Sequence, residues 1–162
     1  MIKDDSIIQN GYQLFWRGYL SNWYPSPFVL ESVSYSCMEQ FMMAEKARIF
    51  KDTATWTKIM NTSIPKEQKD LGRQVSNYNE EVWSNCRFDI VSKGIVQKFK
   101  QNQELLEMFL DTGNNILVEA SPYDTVWGIG MSVNDDGAFE PSKWKGQNLL
   151  GKALMAARGC WE

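Results

Sequence analysis

The chain contains no histidine among its 162 residues, and this absence narrows the chemistry it can perform. Nucleophilic sites of the Ser-His-Asp or Cys-His type need an imidazole, and histidine is also the commonest ligand of transition metals. The imidazole-based catalytic sites are therefore excluded. Proton transfer and nucleophilic attack must come from carboxylates, lysine, tyrosine, cysteine or water.

Cysteine is also scarce. Cys37, Cys86 and Cys160 are an odd number without metal-ligand spacing, which indicates neither a disulfide framework nor a zinc site. We predict no metal and no cofactor, and reduced thiols in a cytoplasmic protein. No apolar run reaches the length of a membrane span, and the N-terminal segment has acids where a signal peptide has basic residues, so we expect neither insertion nor secretion.

Basic residues do not outnumber acidic ones. The net charge of -3 argues against a broad electrostatic grip on nucleic-acid phosphates, although it leaves room for a local basic patch. An apolar content of 43% in a chain of this length predicts a single domain over residues 1–162 with one core. Seven Trp, six Tyr and eight Phe suit both that core and stacking sites.

Apolar periodicity and capping residues predict a helix-rich α+β domain with a few short strands. Helices are predicted over residues 37–51, 55–60, 65–74, 79–100, 103–112 and 147–158. Strands are predicted over 12–16, in a hairpin within 28–35, over 115–121 and over 127–133.

Glu39 and Lys46 carry charge in the middle of the apolar face of the helix predicted over 37–51. At about 100° per residue both point toward the core or a pocket, and burying either charge costs several kcal/mol without a partner. Two structural alternatives stay open. Ser36 and Glu39 also fit a capping box, and the Lys46 amine could snorkel past the rim of the core.

The segment LVEASPYDTVWGIG places acids, an aromatic side chain and two glycines at a strand end and its loop. Glu119 and Asp124 offer acid, base or hydroxyl-binding oxygens, and Trp127 offers a stacking face. Gly128 and Gly130 allow a ligand to approach the backbone. The alternative is a tight turn in which Trp127 belongs to the core and Asp124 forms an Asx turn.

The segment WKGQNLLGKALMAAR places Gly146, Gln147 and Asn148 at a predicted helix N-terminus. Free N–H groups and the helix dipole favour an anion such as phosphate there. The alternative is an ordinary capped amphipathic helix.

Six blocks in this order resemble the NADAR family, also called YbiA-like. They cover most of the chain from about Phe15 to Arg158: GYLSNWYPSPF, YSCMEQFMMAEKARIF, the LGRQV and Trp83 region, KFKQNQELLEMFLDTG, LVEASPYDTVWGIG and WKGQNLLGKALMAAR. The resemblance implies an N-glycosidase that hydrolyses the C–N bond between ribose and a nitrogen-linked base or amine. Its substrates would be ribosylamino intermediates of riboflavin synthesis or ADP-ribosylated guanine.

The resemblance also implies roles for single residues. Catalytic positions fall on Glu39, Lys46, Glu119 and Asp124. Substrate-binding positions fall on Asn22, Trp83, Trp127 and Asn148, to which the loop pattern adds Gly128.

We hypothesise that Glu39 is the acid/base group and that Lys46 forms a Schiff base with the opened ribose, as the resemblance suggests for this lysine. The expected partner is a small-molecule N-ribosyl or ADP-ribosyl substrate, or ADP-ribosylated guanine in nucleic acid. We expect a monomer with no membrane association. The alternatives are a non-catalytic ADP-ribose or nucleotide-binding module and a structural interaction domain.

Overall fold

The computed structural model describes all residues from Met1 to Glu162 and confirms a helix-rich α+β class. The strands are β1 (Ile7–Gln9), β2 (Tyr12–Phe15), β3 (Phe28–Leu30), β4 (Val33–Tyr35) and β5 (Ile116–Glu119). The helices are α1 (Met38–Ile49), α2 (Thr53–Met60), α3 (Pro65–Gly72), α4 (Glu80–Lys100), α5 (Gln103–Asp111) and α6 (Leu149–Arg158). Short 3-10 turns cover Pro141–Lys143 and Gly159–Trp161.

The chain divides into two compact units, which are described separately. Unit 1 comprises Met1–Tyr24 and Gln103–Glu162, and unit 2 comprises Pro25–Asn102. The single domain over residues 1–162 stays a prediction.

Unit 1 is built on a three-stranded sheet in the order β1-β2-β5. β1 and β2 are antiparallel and joined by Asn10 and Gly11, whose φ angles of 53° and 80° suit a two-residue hairpin turn. β5 runs parallel to β2, and α6 packs against β5. The approach of α6 is so close that a Cβ on Gly151 would lie 2.1 Å from the carbonyl oxygen of Leu117. Glycine is therefore required at this crossing.

Unit 2 combines the antiparallel β3-β4 hairpin with helices α1 to α4. α1 packs against each of the other three helices. Gly94 lies where α4 meets α1, because a Cβ there would lie 2.6 Å from the Phe41 ring. The glycine that interrupts the apolar pattern of α4 thus allows the two helices to pack closely.

Several boundaries follow the local sequence signals. Asn79 caps α4 through a hydrogen bond of 3.0 Å from the Val82 N–H to its side-chain oxygen, and Pro65 occupies the first turn of α3 as predicted. α2 begins two residues earlier than expected because Asp52 accepts the Thr55 N–H.

The strand predicted over residues 127–133 is wrong. The backbone groups of Ile129 form no strand ladder: its N–H donates to the C=O of Glu119, the last residue of β5, and its C=O accepts from Lys145 in a loop. Gly130 has φ of +67°, which breaks the extended conformation. Alternation of side chains was present, but no strand lies alongside to complete a ladder.

Burial around α1 does not divide into one buried and one exposed side. Arg48 and Lys51 are exposed, whereas Cys37 and Gln40 are buried. The N-terminal half of α1 is surrounded by protein on all sides, which a two-faced helix pattern does not anticipate.

Candidate active site

Glu39 lies in the first turn of α1 and is 4% exposed. The capping-box interpretation of this residue is wrong. Cys37 is the N-cap and makes no side-chain capping bond, and the Ser36 N–H donates to the Gln40 side chain at 2.7 Å. Gln40 therefore takes the backbone bond that the capping box assigned to Glu39.

Lys46 lies two turns further along the same face of α1 and contacts two aromatic rings. Its Nζ is 4.5 Å from the centroid of the Tyr78 ring and 6.0 Å from that of Trp83. These distances allow cation–π attraction. The ammonium thus lies over aromatic rings, and the structure brings the predicted residues Lys46 and Trp83 together.

The charge of Lys46 is set by opposing influences. Burial lowers its pKa, the carboxylates of Glu80 and Glu39 raise it, and Arg73 lowers it. The net effect is a lowered pKa, which increases the fraction of neutral amine at physiological pH. A neutral amine is the nucleophilic form of lysine.

Tyr78 and Glu80 form the wall beside Lys46. The Tyr78 ring packs edge-on against Phe50 at 5.4 Å, and its hydroxyl donates to the Glu80 carboxylate. Burial, with this hydrogen bond acting in the same direction, raises the pKa of Tyr78 to about 12. Tyr78 therefore stays a neutral hydroxyl donor, and its ring is held in place from two sides.

Arg87 completes the charged groups on this face of α4. Its Nη1 lies 3.4 Å from Glu80, and its side chain is 12% exposed. The site residues predicted from the sequence did not include Tyr78, Glu80 or Arg87. The spacing of Trp83 and Arg87 by four residues was the one available signal, since such residues share a helix face.

Lys98 is a second unusual amine, also missed from the sequence. It is 1% exposed, and burial lowers its pKa to about 7. Full burial closes Lys98 to a substrate, whereas Lys46 is half-buried. Lys46 is therefore the amine that combines a lowered pKa with access.

In unit 1, Glu119 ends β5 and Asp124 begins the following turn. The Asp124 Oδ1 accepts the N–H groups of Val126 and Trp127, each at 2.9 Å. This is the Asx-type turn that the sequence offered as the structural alternative. Because only Oδ1 is used in this turn, Oδ2 stays outside that network.

Asn148 links β5 to the start of α6. Its side-chain Nδ2 donates to Leu117 C=O and its Oδ1 accepts the Glu119 N–H, both at 3.0 Å. The residue is 2% exposed and has φ of 53°. The two side-chain hydrogen bonds of Asn148 therefore fix the β5 backbone at Leu117 and Glu119. Contact of Asn148 with substrate stays a prediction.

Trp127 and Gly128 are buried in the same loop. A Cβ on Gly128 would lie 3.0 Å from the carbonyl oxygens of both Glu119 and Asp124. Glycine here allows the loop to fold tightly onto the end of β5. Stacking by Trp127 and backbone contact by Gly128 stay predictions.

The anion site predicted at the start of α6 is wrong. The backbone N–H groups there already bond to the preceding loop. They pair as Gln147 with Thr125, Asn148 with Gly128, Leu149 with Val126 and Leu150 with Trp127, at 2.9 to 3.2 Å. These four donors hold the loop onto the helix, so none of them is free for an anion.

Asn22 is 7% exposed, and its side-chain Oδ1 is buried without a hydrogen-bond partner. A buried acceptor without a partner is costly, and native structures keep few of them. This unpaired oxygen makes Asn22 a good candidate for a polar contact with a ligand.

A cavity of unit 2 lies on another side of α1. It has a volume of about 440 Å³ and is lined by residues that include Leu30, Val33, Tyr35, Arg48, Asp52 and Trp56. The Arg48 side chain lies on the opposite side of α1 from Lys46, because two residues correspond to a rotation of about 200° around the helix axis. This cavity contains none of the predicted site residues.

No cluster of three or more Cys, Asp or Glu side chains is arranged to hold a metal ion. No helix is long and apolar enough to cross a membrane. The predicted site residues fall into two groups: unit 2 holds Glu39, Lys46 and Trp83, and unit 1 holds Asn22, Glu119, Asp124, Trp127, Gly128 and Asn148.

Comparison with known proteins gives consistent results. The NADAR domain model matches residues 14–160. The N-glycosidase R617 of Acanthamoeba polyphaga mimivirus is 43% identical over 143 residues, which cover 85% of this chain and 84% of that protein. The riboflavin biosynthesis protein VVA0006 of Vibrio vulnificus is 28% identical and matches 88% of this chain but 35% of its own length. The NMR structure of the E. coli protein YbiA has a TM-score of 0.77 and 25% identity, covering 96% of this chain and 87% of that one.

Proposed function

The chain belongs to the NADAR domain family and is an N-glycosidase, and we propose that Glu39 and Lys46 cleave the bond between ribose and a nitrogen-linked base or amine. One observation carries this proposal. A half-buried amine with a lowered pKa lies beside two aromatic rings, on the same helix face as a buried carboxylate. A stable fold does not require that pair of charges, because each costs free energy to bury.

The proposed reaction uses the amine as a nucleophile. Ring opening transfers a proton to the ring oxygen and leaves C1 doubly bonded to the substrate nitrogen. The Lys46 amine then adds to C1, and the substrate nitrogen departs with a proton from Glu39, so that C1 becomes a Schiff base on Nζ. Water then adds to C1 of the Schiff base and a proton returns to Glu39. The sugar is released as an aldehyde, and the Lys46 amine is regenerated.

The remaining predicted residues have supporting roles in this proposal. Glu119 and Asp124 hold ribose hydroxyls or assist the attacking water. Trp83 and Trp127 stack on the base. Asn22, Gly128 and Asn148 complete the substrate contacts, and the unpaired oxygen of Asn22 supports its assignment.

The substrate is either a ribosylamino intermediate of riboflavin synthesis or ADP-ribosylated guanine, free or in nucleic acid, and the leaving group is the amine or base that carries the nitrogen. The name of the Vibrio vulnificus relative supports the first, and the net charge of -3 favours a small molecule over a long nucleic acid. Cytoplasmic location and a monomeric state stay predictions.

The test is turnover on a panel of N-ribosylated compounds, with released ribose phosphate or ADP-ribose measured by mass spectrometry. Glu39→Gln and Lys46→Ala are expected to lose activity by at least about 100-fold, as is common when an acid/base group or nucleophile is removed. Lys58→Ala, an exposed lysine of α2, is the matched control.

Borohydride reduction during turnover tests the covalent step. A sugar-sized mass on the peptide containing Lys46, absent from the Lys46→Ala protein, is the expected result. Full activity of Lys46→Ala would overturn the covalent route. Binding of ADP-ribose without turnover of any compound would instead support a non-catalytic module.

A further inference from the structure

Arg87 has more hydrogen-bond donors than its surroundings use. Its side chain is 12% exposed, and its Nε is buried without a partner. The only ion pair of the guanidinium is the contact of Nη1 with Glu80 at 3.4 Å, which is long for a charge-assisted hydrogen bond. Five N–H donors thus have one weak acceptor. A guanidinium left in this state is suited to an anion that is not part of the chain.

The position of Arg87 relates it to the reacting end of the proposed substrate. Trp83 and Arg87 are four residues apart on α4, so they are neighbours on one helix face, with Cβ atoms about 5–6 Å apart. The Trp83 ring in turn lies 6.0 Å from the Lys46 Nζ. Lys46, Trp83 and Arg87 therefore follow one another along one side of unit 2.

The current partner of Arg87 is easily displaced. The Glu80 side chain is 67% exposed, and an exposed ion pair contributes little to stability. Glu80 also accepts the Tyr78 hydroxyl, so its carboxylate keeps a partner if Arg87 turns to a ligand. Exchange of Glu80 for a phosphate therefore leaves no buried carboxylate without a hydrogen bond.

We infer that Arg87 binds a phosphate group carried by the ribose of the substrate, an inference that rests on the proposed N-ribosyl function. The planar fork of a guanidinium matches two oxygens of a phosphate. With C1 at Lys46, the phosphate-bearing end of the ribose lies further along the face that leads to Arg87. The phosphate is either a terminal monoester or part of a diphosphate.

Binding of ribose 5-phosphate, ribose and ADP-ribose, measured by isothermal titration calorimetry, tests this inference. Wild-type protein is expected to bind ribose 5-phosphate at least about tenfold more tightly than ribose, the effect of one charge-assisted hydrogen bond. Arg87→Met is expected to remove this preference. Arg87→Lys keeps the charge without the fork and is expected to retain part of it.

Arg48→Met is the matched control, because it removes one arginine charge from the opposite side of α1. It is expected to keep the preference for ribose 5-phosphate. ADP-ribose distinguishes a terminal monoester from a diphosphate. If Arg87→Met binds both ADP-ribose and ribose 5-phosphate more weakly than the wild type does, Arg87 accepts both kinds of phosphate. Loss for ribose 5-phosphate alone assigns Arg87 to a terminal monoester.

Equal binding of ribose and ribose 5-phosphate by the wild type would overturn the inference. So would an unchanged preference in Arg87→Met whose unfolding midpoint matches that of the wild type. If Arg87→Met does not fold, the partial loss of preference expected for Arg87→Lys is the test, and an undiminished preference in that variant overturns the inference. These measurements need no turnover, so a protein that binds the phosphate yet cleaves no N-ribosyl compound would refute the proposed function alone.

Discussion

The Lys46 amine lies 4.5 Å from the centroid of the Tyr78 ring, and the Tyr78 hydroxyl bonds to Glu80. The ring holds the ammonium by cation–π attraction, and the carboxylate favours its charged form. Burial of Lys46 opposes these two effects, because it lowers the pKa and so favours the neutral amine. The reactivity of the amine is thus set by residues that lie far from it in the sequence.

Tyr78→Leu is expected to reduce kcat by about tenfold, because the loss of a cation–π contact worth about 1.4 kcal/mol releases the amine from its position. Tyr78→Phe keeps the ring and is expected to stay within about threefold of the wild type, a loss below about 0.7 kcal/mol. The pH–rate profile is the check. Equal kcat values for the two variants would show that the ring does not position Lys46.

Glu80→Gln is expected to shift the acidic limb of the pH–rate profile to lower pH. Glu80 raises the pKa of Lys46, so its removal lowers that pKa and neutral amine appears at lower pH. The shift is expected to be less than about one pH unit and to shrink with added salt, because the Glu80 side chain is exposed. Glu81→Gln, which changes the neighbouring acid in the same helical turn, is the control.

Lys98→Met is expected to change how stability depends on pH. Lysine titrates near pH 10.4 in an unfolded chain, and burial lowers the folded pKa of Lys98 to about 7. Between these values the unfolded chain binds more protons, so the destabilisation by Lys98 is complete below about pH 7 and decreases as pH rises.

The wild type is therefore expected to gain stability relative to Lys98→Met by at most roughly 1.4 kcal/mol per pH unit between about pH 7 and 9.5. Urea unfolding at several pH values measures the difference. Parallel stability curves for the two proteins would show that Lys98 does not titrate in this range.

Asn148→Ala is expected to destabilise the protein by roughly 2–4 kcal/mol, because both side-chain bonds to β5 are lost and alanine is strained at positive φ. Asn148→Gly relieves the strain but loses the same two bonds, so it is expected to cost less. Chemical unfolding gives the stabilities. A raised KM in a variant of unchanged stability would instead favour the predicted contact of Asn148 with substrate.

Gly151→Ala is expected to destabilise the protein by more than about 2 kcal/mol, since the added methyl group meets the Leu117 carbonyl and the Asn148 side chain. Gly159→Ala is the matched control, because nothing lies within 4 Å of its Cβ position. Thermal unfolding of the two variants is the measurement. Equal midpoints would contradict the close packing of α6 on β5.

Helix positions were well predicted where a local signal marks a terminus. Pro65 and Asn79 satisfy or remove backbone donors within their own segments, so no distant residue is needed to place α3 and α4. The β1-β2 hairpin was missed although Asn10 and Gly11 carry the strongest local signal for such a turn.

The strand predicted over residues 127–133 failed for a different reason. A strand needs a neighbour that completes its hydrogen bonds, and whether one is present depends on the folded chain. Here the Ile129 backbone bonds to the end of β5 at Glu119 and to Lys145 in a loop, and no continuous ladder forms. Alternation along one segment could not reveal this.

The sequence by itself determined that Glu39 and Lys46 share one face of α1, because helical periodicity is a property of neighbouring residues. Only the tertiary structure decided what surrounds them. The packing of α1 against α4 at Gly94, and the turn that carries Tyr78, bring Tyr78, Trp83 and Glu80 to the Lys46 amine. Contacts between distant segments depend on how helices pack in space, and local periodicity carries no information about that.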